Sequence, residues 1–110
     1  MYVFVRKNLS HPQQIVQACH AVAEVTRYCP PPDGVIPNLV LLGVNDESRL
    51  FKCQSKLDKA NIRYKVFFEP DINQFTALAT EPVSGETRQH FRNYTLLSSE
   101  PVLAGGSYVG

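Results

Sequence analysis

Several things are scarce in this chain. Its 110 residues include no tryptophan, one methionine and three cysteines, and only 19% of them are charged. Cys19, Cys29 and Cys53 are odd in number and form no C-x-x-C pair, which argues against both a disulfide framework and a structural zinc site. Eleven Lys and Arg face ten Asp and Glu, a formal net charge of +1. That excludes a nucleic-acid coat held by bulk positive charge and leaves room for a local basic patch. No apolar run is long enough to span a membrane. Met1–Val5 meets Arg6 and Lys7 at once, unlike a secretory signal. The expectation is a soluble protein of a reducing, cytoplasmic compartment with no membrane partner.

What is present amounts to one domain. An apolar content of 44% argues against disorder, and a chain of this size can close one hydrophobic core without staples. Tyr2–Lys7 is β-branched and aromatic and reads as a central strand. Ser10 followed by Gln13 has the spacing of a capping box, and Pro12 suits a first helical turn. The pattern predicts a helix from Pro12 to Tyr28. Its expected apolar stripe is Ile15, Cys19, Val22 and Thr26, widened by Val16 and Ala23. Cys29 to Gly34, with its three prolines, ends it.

Asn38–Val44 reads as a second buried strand. Asn45-Asp46-Glu47 starts a second helix with the stripe Leu50, Cys53, Leu57 and Ala60, and Asn61 suits the residue just past its end. Arg63–Phe68 and Phe75–Thr80 read as antiparallel strands joined by a polar loop. A short helix over Glu86–Phe91 and a short strand over Tyr94–Leu97 follow. Residues 1–97 therefore form the expected single domain, and residues 98–110 a tail that is flexible or docked on a partner. The order implies a three-layer α/β sandwich with a mixed sheet of four to five strands. Ligands in such sheets sit beyond the carboxyl ends of strands, at Asn8–Gln13, Asn45–Glu47 and Glu69–Gln74.

Val5-Arg6-Lys7-Asn8-Leu9 and then Gln17-Ala18-Cys19-His20-Ala21 resemble the opening of the type 2 peptidyl-tRNA hydrolases. Those proteins read V-R-x-D-L, a loop ending in G-K, and A-x-Q-x-x-H-A along the first helix. Glu69–Thr80 resembles the family's D-A-G-x-T segment and the strand after it, so the likeness spans about residues 2–97. The phrase running from Phe67 through Glu69-Pro70-Asp71-Ile72-Asn73-Gln74 to Ala79 is also similar to small bacterial and phage hydrolase-like proteins of uncertain role. The resemblance implies a peptidyl-tRNA hydrolase-like sandwich, a homodimer, and cleavage of the ester between peptide and tRNA without metal or cofactor.

The chain departs from the family where chemistry would be done. Gln13 stands at the lysine position and Asn8 at the first-loop aspartate. Glu69, or Asp71 two residues along, stands for the later aspartate, and Asn73 for the threonine. A glutamine keeps hydrogen bonding but not the cation, and losing one preorganised oxyanion contact costs about 10²–10³ in rate. Arg6, Asn8, Gln13, Gln17, His20, Glu69, Asp71, Asn73 and Gln74 are therefore candidate ligand-binding residues. If hydrolysis survives, Glu69 or Asp71 is its base, with Gln13, His20 or Arg6 assisting.

Each candidate has a plainer reading. His20 and Gln17 suit helix packing, Gln13 the capping box, and Asp71 and Asn73 a turn. Arg6 asks for a partner, and Glu69 or Asp71 is the natural one. Arg49, Lys52, Lys56 and Lys59 form a basic stripe that either meets phosphates or is simply solvated. His11 and His90 have no evident ligand set, so no metal and no cofactor are assigned.

The leading expectation is non-catalytic binding of a small nucleotide-like ligand or a tRNA 3′ end on a peptidyl-tRNA hydrolase-like scaffold. An active peptidyl-tRNA hydrolase is the alternative, and a protein-interaction module the third reading. Near-neutrality favours a small ligand over a whole tRNA.

Overall fold

The computed structural model describes residues 1–97; the expected tail, 98–110, lies outside the described residues. β1 (Tyr2–Arg6) is buried along its whole length, as its two apolar faces require. On one side it pairs in parallel with β2 (Val40–Val44), Tyr2 opposite Val40 and Arg6 opposite Val44. On the other it pairs antiparallel with β4 (Gln74–Thr80), which in turn pairs antiparallel with β3 (Tyr64–Glu69). The result is a four-stranded mixed sheet of order β2-β1-β4-β3. A register shift between Phe67 and Phe68 bends the outer hairpin. The expected last strand reduces to a bridge between Leu42 and Leu96, flanked by hydrogen bonds from Gly43 N–H to Thr95 O and from Leu97 N–H to Leu41 O.

Side chains alternate along β1 and divide the core in two. Tyr2 and Phe4 point into a cluster with Leu42, Leu50, Cys53, Leu57, Leu78 and Phe91. Val3 and Val5 point into a second cluster with Ala21, Val25, Ala77 and Ala79. The first cluster lies under α2 (Glu47–Lys59) and the second under α1 (His11–Tyr28), so the helices cover opposite faces. The expected short helix is a 3-10 helix, Gly85–Phe91, and Phe91 stacks on Tyr2 with ring centroids 3.8 Å apart.

α2 buries Leu50, Cys53 and Leu57 as its periodicity predicts, although Ala60 is an exposed cap residue. Asp46 caps it by accepting from Arg49 N–H at 2.9 Å. Asn61 takes the left-handed conformation, φ 56°, just past its end. α1 is different. It buries Gln14, Gln17, Ala21 and Val25, while Ile15 and Val16 are 56% and 44% exposed and Cys19 is exposed. The period is as expected, but the helix is turned so that two glutamines face inward. Hydrogen bonds offset much of the cost, because a buried amide that finds partners loses little on leaving water, although Gln14 Oε1 has no partner among the described residues. Gln14 Nε2 donates to Lys7 O and Leu9 O at 3.3 and 3.0 Å, pinning α1 to the loop before it. Only half of the capping box forms. Ser10 Oγ accepts from Gln13 N–H at 3.3 Å, and the Gln13 side chain turns to Gln17 instead of back to Ser10.

Candidate functional site

Two polar networks and one basic cavity lie near the carboxyl ends of β1 and β2. The first network belongs to the α1 face. Gln17, 1% exposed, donates from Nε2 to Gln13 Oε1 at 3.0 Å and to Glu69 Oε1 at 2.8 Å, and accepts from Thr76 Oγ1 at 2.7 Å. Its amide is saturated by residues from α1, β3 and β4. The Gln17 hydrogen bond, followed by the Asp71 backbone N–H, holds the Glu69 carboxyl below its ordinary range. A carboxylate stabilised in its ionised form is a poor general base.

The second network belongs to the α2 face. Arg6 is 6% exposed, and its guanidinium donates to Asn8 Oδ1 at 3.0 Å, Gln74 Oε1 at 2.7 Å and Phe75 O at 3.0 Å. All three acceptors are neutral. The expected carboxylate partner, Glu69 or Asp71, is not among them, because strand alternation sends Arg6 to the face of Phe4 while Glu69 bonds to α1. His20 is exposed and stacks on Phe67, ring centroids 4.5 Å apart. Asn73, at φ 54°, sits in the β3–β4 turn with its N–H on Pro70 O, and Asp71 is exposed on the same turn. The candidates thus fall into a Gln13–Gln17–Glu69 set, an Arg6–Asn8–Gln74 set on the other face, and three residues outside both. Thr76, which completes the first set, carried no signal in the sequence.

The cavity has a volume of about 230 Å³ and is lined by Lys7, Gly43, Val44, Asn45, Arg49, Lys52, Cys53, Lys56, Asn93, Tyr94 and Thr95. It opens where β1 and β2, parallel neighbours whose following helices leave to opposite faces, end together. That is the crevice in which open α/β sheets hold ligands. Among the described residues, four cationic side chains line it and no carboxylate does. Two acids lie close to the lining in sequence: Asp46 accepts from Arg49 N–H as the α2 cap, and Glu47 accepts from Phe75 N–H. Arg49, Lys52 and Lys56 come from the basic stripe legible in the sequence. Lys7, beyond the end of β1, is the member that stripe could not reveal.

The cavity can bind anions, and it holds no activated nucleophile. Burial pushes the Cys53 thiol up, against the smaller opposing effects of Tyr94, Lys56 and Arg49, and burial also pushes the Tyr94 hydroxyl up. Both groups stay protonated at neutral pH. Among the described residues, no group of three or more His, Cys, Asp or Glu could hold a metal ion, and no helix is long and apolar enough to cross a membrane.

No family model and no curated protein matches the chain. A solved structure, a protein of unknown function from Agrobacterium tumefaciens strain C58, is similar at a TM-score of 0.64 and 13% identity, covering 88% of this chain and 96% of that one. The likeness establishes a shared fold and nothing more.

Proposed function

We propose that this protein binds a small phosphate-bearing, nucleotide-like ligand without turning it over, on a peptidyl-tRNA hydrolase-like scaffold. The observation that carries the reading is the cavity at the carboxyl ends of β1 and β2, where Lys7, Arg49, Lys52 and Lys56 converge with no carboxylate among them. Cations gathered in a cleft focus the field and attract anions even when the whole chain is near neutral. Asn45, Asn93 and Thr95 add neutral hydrogen-bonding groups for a sugar or base.

Two residues of the Gln17 network argue against turnover. Gln13 stands where the resembling hydrolases carry lysine, and its amide is bonded to Gln17. Glu69, the nearest substitute for the family's aspartate, is held ionised by the same glutamine. The resemblance further implies a homodimer, which is part of the proposal.

Calorimetry with a nucleotide panel and a tRNA 3′-end oligonucleotide, alongside a peptidyl-tRNA turnover assay, tests this. At least one nucleotide should bind, be recovered unmodified, and lose affinity in Lys52→Glu. Robust peptidyl-tRNA hydrolysis abolished by Glu69→Gln would replace the reading with the hydrolase one. Silence across every ligand would remove it.

A further inference from the structure

We infer that the cavity selects a ligand with two linked phosphoryl groups, taken up free of divalent metal. The inference rests on the binding reading above and goes further, because it fixes the charge, length and metal state of what is bound.

Charge comes first. Lys7, Arg49, Lys52 and Lys56 are four of the eleven cationic side chains in the protein, and among the described residues no acid lines the cavity with them. All four are solvent-exposed, so their mutual repulsion is screened, while together they attract a ligand in proportion to its negative charge. A monophosphate carries at most two charges near neutral pH. It leaves part of that attraction unused.

Length comes next. Arg49, Lys52 and Lys56 sit at i, i+3 and i+7 of α2 and so share one helix face. From first to last the row runs about 10 Å along the helix axis. Lys56 is turned towards one end, its Nζ 5.9 Å from the centroid of the Tyr94 ring. Lys7, from beyond the end of β1, also lines the cavity, with its stem over Gly43. A Cβ at Gly43 would lie 2.8 Å from Lys7 Cδ and 2.9 Å from Cγ, so the absence of a side chain there is what seats the lysine stem. One phosphorus with its oxygens engages one end of this row. Two linked phosphoryl groups span more of it and reach Lys7 at the same time.

Metal state follows from what the lining lacks. Magnesium held with phosphates is usually bound through one or two protein carboxylates. Among the described residues this cavity offers none, and its cations supply the counter-charge that the metal would otherwise bring. A magnesium-complexed diphosphate would arrive with two fewer negative charges and find no carboxylate for its metal. Magnesium therefore competes with the protein for the ligand.

The test is calorimetry on the full chain with inorganic phosphate and pyrophosphate, at fixed ionic strength, with and without excess magnesium. Pyrophosphate should bind at least about tenfold tighter than phosphate, and magnesium should weaken it. Lys52→Gln should weaken pyrophosphate about fivefold or more, and Lys59→Gln, on the same helix but off the cavity, should not. Gly43→Ala retains every charge yet displaces Lys7, and should also weaken pyrophosphate. If it does not fold, as circular dichroism will show, the exposed-site variant Lys52→Gln carries the test. Equal affinity for the two anions, tightening by magnesium, or equal losses in Lys52→Gln and Lys59→Gln would overturn this inference. A nucleoside monophosphate that binds where pyrophosphate does not would overturn it too, and would leave the binding reading standing. Failure of every nucleotide and both anions would overturn both.

Discussion

Gln17 on α1 donates to Glu69 on β3 across 2.8 Å and accepts from Thr76 on β4 at 2.7 Å, so one buried amide ties the helix to two strands. Thr76 is fully buried. In Gln17→Ala its hydroxyl loses the only side-chain acceptor it has among the described residues, and a cavity is left beside it. The expected loss is about 2–3 kcal/mol of stability, read as a shift of the urea midpoint at unchanged slope. Gln17→Leu combined with Thr76→Val removes both polar partners and should recover part of it. A double variant as unstable as the sum of the singles would show that the hydrogen bond is not what matters.

Acid should act on the same network. The Glu69 carboxyl is held below its ordinary value of 4.5, chiefly by the Gln17 amide and next by the Asp71 N–H. A group whose pKa is lower folded than unfolded adds stability above its unfolded value and loses it as pH falls through its folded one. The wild-type protein should therefore exceed Glu69→Gln in stability at neutral pH, and the gap should narrow below about 4.5. Denaturant midpoints across a pH series check this. A gap unchanged into acid would mean that Glu69 contributes no ionised hydrogen bond.

Arg6 should tolerate little. Its guanidinium spans Asn8, Gln74 and the Phe75 carbonyl while almost wholly buried. Lysine retains the charge but presents one compact ammonium and cannot fork to three acceptors. Arg6→Lys and Arg6→Met should both destabilise by about 2–3 kcal/mol. If Arg6 were chiefly an anion clamp, Arg6→Lys would fold normally and lose only ligand affinity. Thermal melts and calorimetry on the same variants separate the two.

How far these arrangements were legible in the sequence depends on which interactions decide them. β1, the α2 stripe as far as Leu57 and the Asn61 cap follow from local patterns, and the structure places them where the patterns do. The orientation of α1 does not follow, because apolar periodicity ranks Ile15 and Val16 above Gln14 and Gln17. The partners that make glutamine acceptable inside lie far along the chain, at Glu69 and Thr76. The partner of Arg6 was misassigned for a related reason. Charge complementarity pointed to Glu69 or Asp71, whereas strand alternation selected the opposite face. The basic cavity was half legible: Arg49, Lys52 and Lys56 share a helix face, but their meeting with Lys7 depends on β1 and β2 ending side by side.

Cysteine labelling distinguishes a binding cavity from a catalytic one. Cys53 lines the cavity but is buried, and burial pushes its thiol up. A nucleophilic cysteine needs the reverse, an accessible thiolate. At neutral pH an alkylating reagent should modify exposed Cys19 well before Cys53, by peptide mass mapping of the folded protein. Cys53→Ser should retain nucleotide binding. Rapid labelling of Cys53, blocked by pyrophosphate, would mark the thiol as reactive and point the cavity towards covalent chemistry. Slow labelling, with Cys19 consumed first, is the outcome that fits a site whose cations bind and whose neighbouring thiol stays inert.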